Sequence, residues 1–183
     1  REDPLYHSLI PNKDVRERLM PELFKCDLTE FYECCDIYAD SPECNSLLVV
    51  SDEMEPYEHL FKAYFTEIAA ALKTDGYLLK EDASMHTFWN FILGRDYLNS
   101  AWTDQLHQKH RLHVIYLAVR PNMQMNEVIR YADKHRMMVS LETHNPVNVE
   151  FYQRFDFKVF GIVQKHFDLK QYCLIREIRK KGE

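Results

Sequence analysis

VSLETHNPVNVEFYQRFDF, residues Val139 to Phe157, is the stretch on which the reading of this chain turns. A β-type run, Val139 to Thr143, ends at Asn145-Pro146. A short amphipathic segment, Val147 to Phe155, follows at once and carries Tyr152 among phenylalanines. Asn before Pro is turn chemistry and suits a helix start, because an Asn side chain accepts from the first backbone N–H groups of a helix.

Working upstream, HVIYLAVRPNMQ at His113 to Gln124 predicts a strand over Leu112 to Val119, closed by Pro121. Met125, Val128, Ile129 and Ala132 then recur at i, i+3, i+4 and i+7, which predicts a helix over Met125 to Arg136. Downstream, Lys158 to Val163 and Gln171 to Ile178 read as strands. The second half therefore runs β-α-β-α-β-β. Its β-α-β part implies a parallel pair with a right-handed crossover, and the closing β-β an antiparallel arrangement.

The first half is more helical. Lys13 to Ala39 predicts a helix with Pro21 as a break, and Glu55 to Lys73 a second helix stopped by Gly76. Met85 to Leu93 predicts a third, ended near Gly94. Ser46 to Ser51 reads as a buried strand, with a hairpin partner expected after Ser51 and not found there. Arg95 to His110 reads as a polar surface excursion. With 183 residues and 46% apolar composition the chain has material for one domain with a real core and is not disordered. No repeat or linker divides it.

Several functions are disfavoured. A net charge of −6 lacks the basic footprint of broad nucleic-acid binding. No apolar run approaches the ~20 residues that span a bilayer, and REDPLYHSL has no signal-peptide character, so a cytoplasmic protein is expected. Cys26, Cys34, Cys35, Cys44 and Cys173 form no CxxC pair, which favours reduced thiols over disulfides or zinc. His107, His110 and His113 are spaced by three across a loop-to-strand boundary and read as solvated histidines rather than metal ligands.

Val119-Arg120-Pro121-Asn122-Met123-Gln124, followed by Asn145 seven residues before Tyr152 and Phe157 five beyond it, resembles the GNAT superfamily of acetyl-CoA-dependent N-acetyltransferases over Leu112 to Ile178. That family carries V-x-P-x-x-Q at the end of a strand and N-x-x-x-x-x-x-Y-x-x-x-G-F after the next. The resemblance implies an α/β fold with a mixed, mostly antiparallel central sheet, one parallel β-α-β pair and flanking helices. It divides a single domain into an acceptor half, about 1–110, and an acetyl-CoA half, about 111–183. It implies acetyl transfer to a primary amine, of a small molecule or a protein, by direct attack in a ternary complex, with acetyl-CoA as cosubstrate and no metal. A catalytically inactive module of the same fold, binding a ligand or partner, is the alternative. Oligomeric state does not follow.

The site residues follow from the resemblance. Leu117, Ala118 and Val119 would offer strand backbone to pantetheine and to the oxyanion. Gln124 and Met125 would lie at the phosphate end, and Asn145 would cap the next helix or hold the pantetheine arm. Tyr152 would be the general acid that reprotonates the thiolate, since a phenol near 10 and a thiol near 8.5 exchange a proton readily. Glu142, at the end of its strand, is the candidate base, with His144, His113 and Tyr116 nearby; a water relay is the other possibility. An acidic stretch of Glu33, Asp36, Asp40, Glu43, Asp52, Glu53 and Glu55 would suit an amine acceptor, although a solvated face explains most of it. The aromatics Tyr57, Phe61, Trp89 and Phe91 are expected in the core.

Two positions depart from the family pattern. Asp156 stands where Gly precedes Phe, a position whose left-handed backbone Asp tolerates. After Gln124 the family continues with G-x-G-x-G/A, whose N–H groups cradle a pyrophosphate. Here Gln124 runs straight into Met125-Asn126-Glu127, and the chain has only 4 glycines where average usage gives roughly thirteen. Either that turn is deleted, and the phosphate cradle with it, or residues belonging there are missing from the sequence; the low glycine count favours the second expectation.

Overall fold

The computed structural model describes residues 3–39, 41–42, 46–52, 60–106, 110–118 and 124–178; side chains at 34, 60–68 and 124 are not described. The chain divides into two compact units. One comprises the described residues of Arg1–Cys34, Tyr57–Ala101 and Val163–Gln171; the other, those of Cys35–Pro56, Trp102–Ile162 and Tyr172–Glu183.

The first unit is helical. It contains α1 (Pro4–Leu9), α2 (Lys13–Cys34), α3 (Leu60–Glu81), α4 (His86–Leu93) and α5 (Arg95–Leu98). Leu9, Ile10, Leu19, Leu23, Leu78 and Tyr97 form its core. Asp82 starts α4 by accepting from the hydroxyls of Ser84 and Thr87 and from the Thr87 backbone N–H. Those donors hold the Asp82 carboxyl well below the usual carboxylate range.

Two helix limits differ from expectation. α2 contains Pro21 without breaking and ends at Cys34, so Asp36–Ala39 is a strand and not the tail of a helix. α3 runs through Gly76 to Glu81. A helical Gly costs about 1 kcal/mol against Ala. Leu78 beyond it is fully buried, and burying a Leu stabilises by about 1.5–3 kcal/mol, so packing outweighs propensity.

The second unit holds most of the sheet. The strands are β1 (Asp36–Ala39), β2 (Leu47–Asp52), β3 (Arg111–Ala118), β4 (Met138–Thr143), β5 (Lys158–Val163) and β6 (Gln171–Arg176), in the order β1-β2-β3-β4-β6-β5. β1–β2, β2–β3 and β4–β6 are antiparallel and β3–β4 parallel. This is the mixed sheet with one β-α-β pair that the second half of the sequence implies. The hairpin partner of β2 lies upstream of it, as β1, rather than after Ser51.

α6 (Gln124–His135) and α7 (Pro146–Gln153) complete this unit. Met125, Val128 and Ala132 of α6, with Tyr152 of α7, pack against Leu112, Val114, Val139, Leu141 and Leu174 of the strands. Both helices end in the same way. Arg136 at φ 55 and Asp156 at φ 67 occupy the left-handed region. The following residues, Met137 and Phe157, donate back to the carbonyls of Ala132 and Tyr152 and are themselves buried. This is the Schellman arrangement, in which a left-handed residue lets the chain reverse and returns an apolar side chain to the core. Asp156 thus does what the glycine of the family pattern would do.

Arg95 to His110 is not a surface excursion. Arg95–Leu98 is helical, Ala101–Gln105 forms a 3-10 helix, and Tyr97, Trp102 and Thr103 are buried. Among the described residues no helix is long and apolar enough to cross a membrane.

Candidate active site

β3 and β4 pair only over Arg111–Val114 and Met138–Leu141. Both strands continue further, β3 with β2 to the pair Ala118–Leu47 and β4 with β6 to the pair Thr143–Tyr172. The sheet therefore opens beyond Val114 and Leu141. The opening coincides with a bulge: Val49 faces Tyr116 while its neighbour Val50 faces Val114, so Ile115 is the extra residue of β3. A bulge sharpens the twist of its strand, here turning β3 away from β4. Beyond Val114 the β3–β4 register gives Ile115 to Ala118 no partner on β4. Leu117 and Ala118, proposed from the resemblance, lie in this part of β3. Val119 lies outside the described residues.

Alternation along the strands puts a polar group on the sheet face opposite α6 and α7. Leu112, Val114, Val139, Leu141 and Leu174 face the apolar core. Their neighbours His113, Ser140, Glu142 and Cys173 face the other way. Trp102 is only 7% exposed and packs edge-on against the His113 ring. Its Nε1–H donates to Glu142 Oε2 at 2.8 Å. The same oxygen lies 3.4 Å from His113 Nε2, and His113 Nδ1 lies 2.8 Å from Ser140 Oγ. Cys173 is the register partner of Glu142. Burial first, and then the charge of Glu142, push the Cys173 thiol up to about 12, so it stays protonated and is no nucleophile.

His113 is thus a buried member of this chain of contacts and not a solvated histidine. His110 is exposed, and His107 lies outside the described residues. Among the described residues no group of three His, Cys, Asp or Glu could hold a metal ion.

Tyr152 belongs to the apolar core and is 8% exposed. Its ring meets Phe151 and Phe157, and burial raises its phenol above the ordinary value of 10. Asn145 caps α7 by accepting from Val147 N–H at 3.1 Å. Thr143 Oγ1 in turn accepts from the Asn145 backbone N–H and from the Asn148 side-chain amide, tying the end of β4 to the first turn of α7.

At the other end of the expected cofactor path, α6 begins at Gln124. The sequence is continuous here: Val119-Arg120-Pro121-Asn122-Met123 is all that joins Ala118 to Gln124. The expectation of missing residues is therefore corrected, and the Gly-rich turn is absent from this chain. Met125 points into the core, and the first turn of α6 carries Glu127, paired with Arg130. An acidic side chain opposes anion binding at a helix N-terminus. The glycines expected to cradle a pyrophosphate are thus not present ahead of α6.

Part of the acidic stretch does converge. Asp36 and Asp52 line a cavity of about 520 Å³ with Glu127, Tyr38, Tyr131 and an apolar floor that includes Leu48, Val50 and Leu112. Tyr131 Oη donates to Asp52 at 2.8 Å, while burial and then the Asp52 charge raise the Asp36 carboxyl. Glu33 is on α2, and Asp40, Glu43, Glu53 and Glu55 lie outside the described residues. Of the aromatics expected in the core, Phe91 packs against the helical unit's core but Trp89 is 55% exposed; Tyr57 lies outside the described residues and the side chain of Phe61 is not described.

No protein-family model and no curated protein matches the chain. Among the solved structures that resemble it are two acetyltransferases. One is a polyamine N-acetyltransferase of Drosophila melanogaster that forms N-acetylagmatine: 13% identity, TM-score 0.43, over 97% of this chain and 88% of that one. The other is a variant of an agmatine N-acetyltransferase in its apo form: 13% identity, TM-score 0.39, over 95% and 86%. At this level neither likeness says what this chain acts on.

Proposed function

We propose that the chain is an acetyl-CoA-dependent N-acetyltransferase that moves an acetyl group to a primary amine by direct attack in a ternary complex. The observation that carries this reading is the parting of β3 from β4 after Val114 and Leu141, with the Glu142 carboxylate on the very next residue of β4.

In this reading the thioester supplies the acyl group and lies along Ile115 to Ala118. Backbone N–H groups of that stretch pair with the pantetheine amides and stabilise the tetrahedral oxyanion. Glu142 accepts the proton that the acceptor ammonium must lose before its nitrogen attacks. Tyr152, kept protonated by burial, returns a proton to the departing thiolate. Asn145 holds the first turn of α7 and so fixes where Tyr152 sits.

A second reading, a ligand-binding module of the same fold without turnover, is favoured by one observation: the missing glycines ahead of α6. Release of free thiol from acetyl-CoA over a panel of primary amines separates the two. Amine-dependent release that Glu142→Gln abolishes supports the enzyme. Binding of acetyl-CoA with no release over the whole panel supports the module.

A further inference from the structure

Glu142 does not stand alone on its strand. As a carboxylate it only accepts hydrogen bonds, so the Trp102 indole at 2.8 Å necessarily donates to Oε2. His113 Nε2, 3.4 Å from the same oxygen, is attracted to it only when that nitrogen carries a proton; a bare Nε2 would turn its lone pair toward the carboxylate. A neutral imidazole protonated at Nε2 has a bare Nδ1. The Ser140 hydroxyl, 2.8 Å away, must then donate to it. With a neutral imidazole these three contacts have one self-consistent proton arrangement: Ser140 O–H to Nδ1, and Nε2–H with indole N–H to one carboxylate oxygen. Ser140 is fully buried and His113 6% exposed, so water does not readily substitute for either.

We propose that His113 is a positioning residue for Glu142, with Ser140 fixing the tautomer in which Nε2 is the donor, so that one carboxylate oxygen is clamped by two N–H groups. The 3.4 Å contact is long for a hydrogen bond, as catalytic contacts often are before substrate binds. The inference rests on the reading of Glu142 as base, but its geometry is testable without it. Cys173, the register partner of Glu142 on β6, has its thiol pushed up to about 12 by burial and then by the Glu142 charge.

Two measurements decide it. The first is the tautomer of His113, read from the nitrogen shifts of the labelled ring at a pH where the imidazole is neutral. The expected result is an Nε2–H ring in the parent protein that shifts toward a mixture in Ser140→Ala. An Nδ1–H ring in the parent overturns the inference.

The second is the pH profile of kcat/KM. Losing a donor to a carboxylate raises its pKa, so His113→Phe should move the ascending limb upward by about one unit, with KM for acetyl-CoA unchanged. His113→Gln, which can restore an N–H donor, should bring the limb back. A drop in kcat without movement of the limb, alike in both variants, would mark His113 as merely structural. Full activity in Glu142→Gln together with an Nε2–H ring means that the base reading alone fails. Loss of activity in Glu142→Gln with an Nδ1–H ring means that the clamp alone fails.

Discussion

The indole N–H of Trp102 donates to Glu142 Oε2 at 2.8 Å, joining a 3-10 helix to the strand residue that follows the last β3–β4 pair. A hydrogen bond to a charged group contributes about 1.5–3 kcal/mol. Trp102→Phe keeps the ring contacts with His113 and Phe160 but removes the donor. We expect a loss of stability of that order in urea unfolding, and an ascending limb of the pH profile displaced to higher pH. An unchanged midpoint and profile would show that this contact matters to neither stability nor basicity.

Tyr152→Phe removes a hydroxyl and keeps the core ring. Burial raises the phenol above its ordinary value, so Tyr152 keeps its proton at neutral pH and a descending limb due to it lies on the alkaline side of an ordinary tyrosine's. The variant should lower kcat by roughly 10²–10⁴-fold, the usual range for a general acid, with little change in acetyl-CoA affinity. Equal turnover in the two proteins would remove Tyr152 from the mechanism.

In the proposed reading, the absent glycines and the presence of Glu127 in the first turn of α6 bear on which part of CoA would be recognised. An intact phosphate cradle would make CoA thioesters far better substrates than acetyl-pantetheine. Here the two should have kcat/KM values within about tenfold, that is, within about 1.4 kcal/mol. A much larger preference for acetyl-CoA would mean that other residues hold the phosphates.

Arg176 is 1% exposed and meets both carboxylate oxygens of Asp133, at 2.7 and 3.0 Å. Removing one partner of a buried pair strands the other charge, which costs about 3–5 kcal/mol. Asp133→Asn should therefore unfold at markedly lower denaturant, while Arg136→Gly, which relieves a left-handed non-glycine backbone three residues further on, should stabilise by about 0.5–1 kcal/mol.

The β-α-β-α-β-β order was legible because each element announces itself locally: α6 by Met125, Val128 and Ala132, and α7 by Asn145-Pro146. β1 was hidden because its four residues, Asp36–Ala39, follow a 22-residue helix and have no alternation of their own; pairing with β2 makes them a strand. The candidate site was half legible. Glu142, Tyr152 and Asn145 stand at marked positions of the sequence. The place of His113 was not legible, because the sheet face it occupies reads as polar until Trp102, from a stretch with no apolar period, is seen to cover it.

The central claim is that the opened strand edge of β3 receives a pantetheine thioester. Amide hydrogen exchange with and without millimolar acetyl-CoA tests it most directly. We predict slowed exchange at the backbone amides of Ile115 to Ala118, with the Arg111–Val114 segment, already paired to β4, little changed. Unaltered exchange across Ile115 to Ala118 at saturating acetyl-CoA and acetyl-pantetheine would contradict the account.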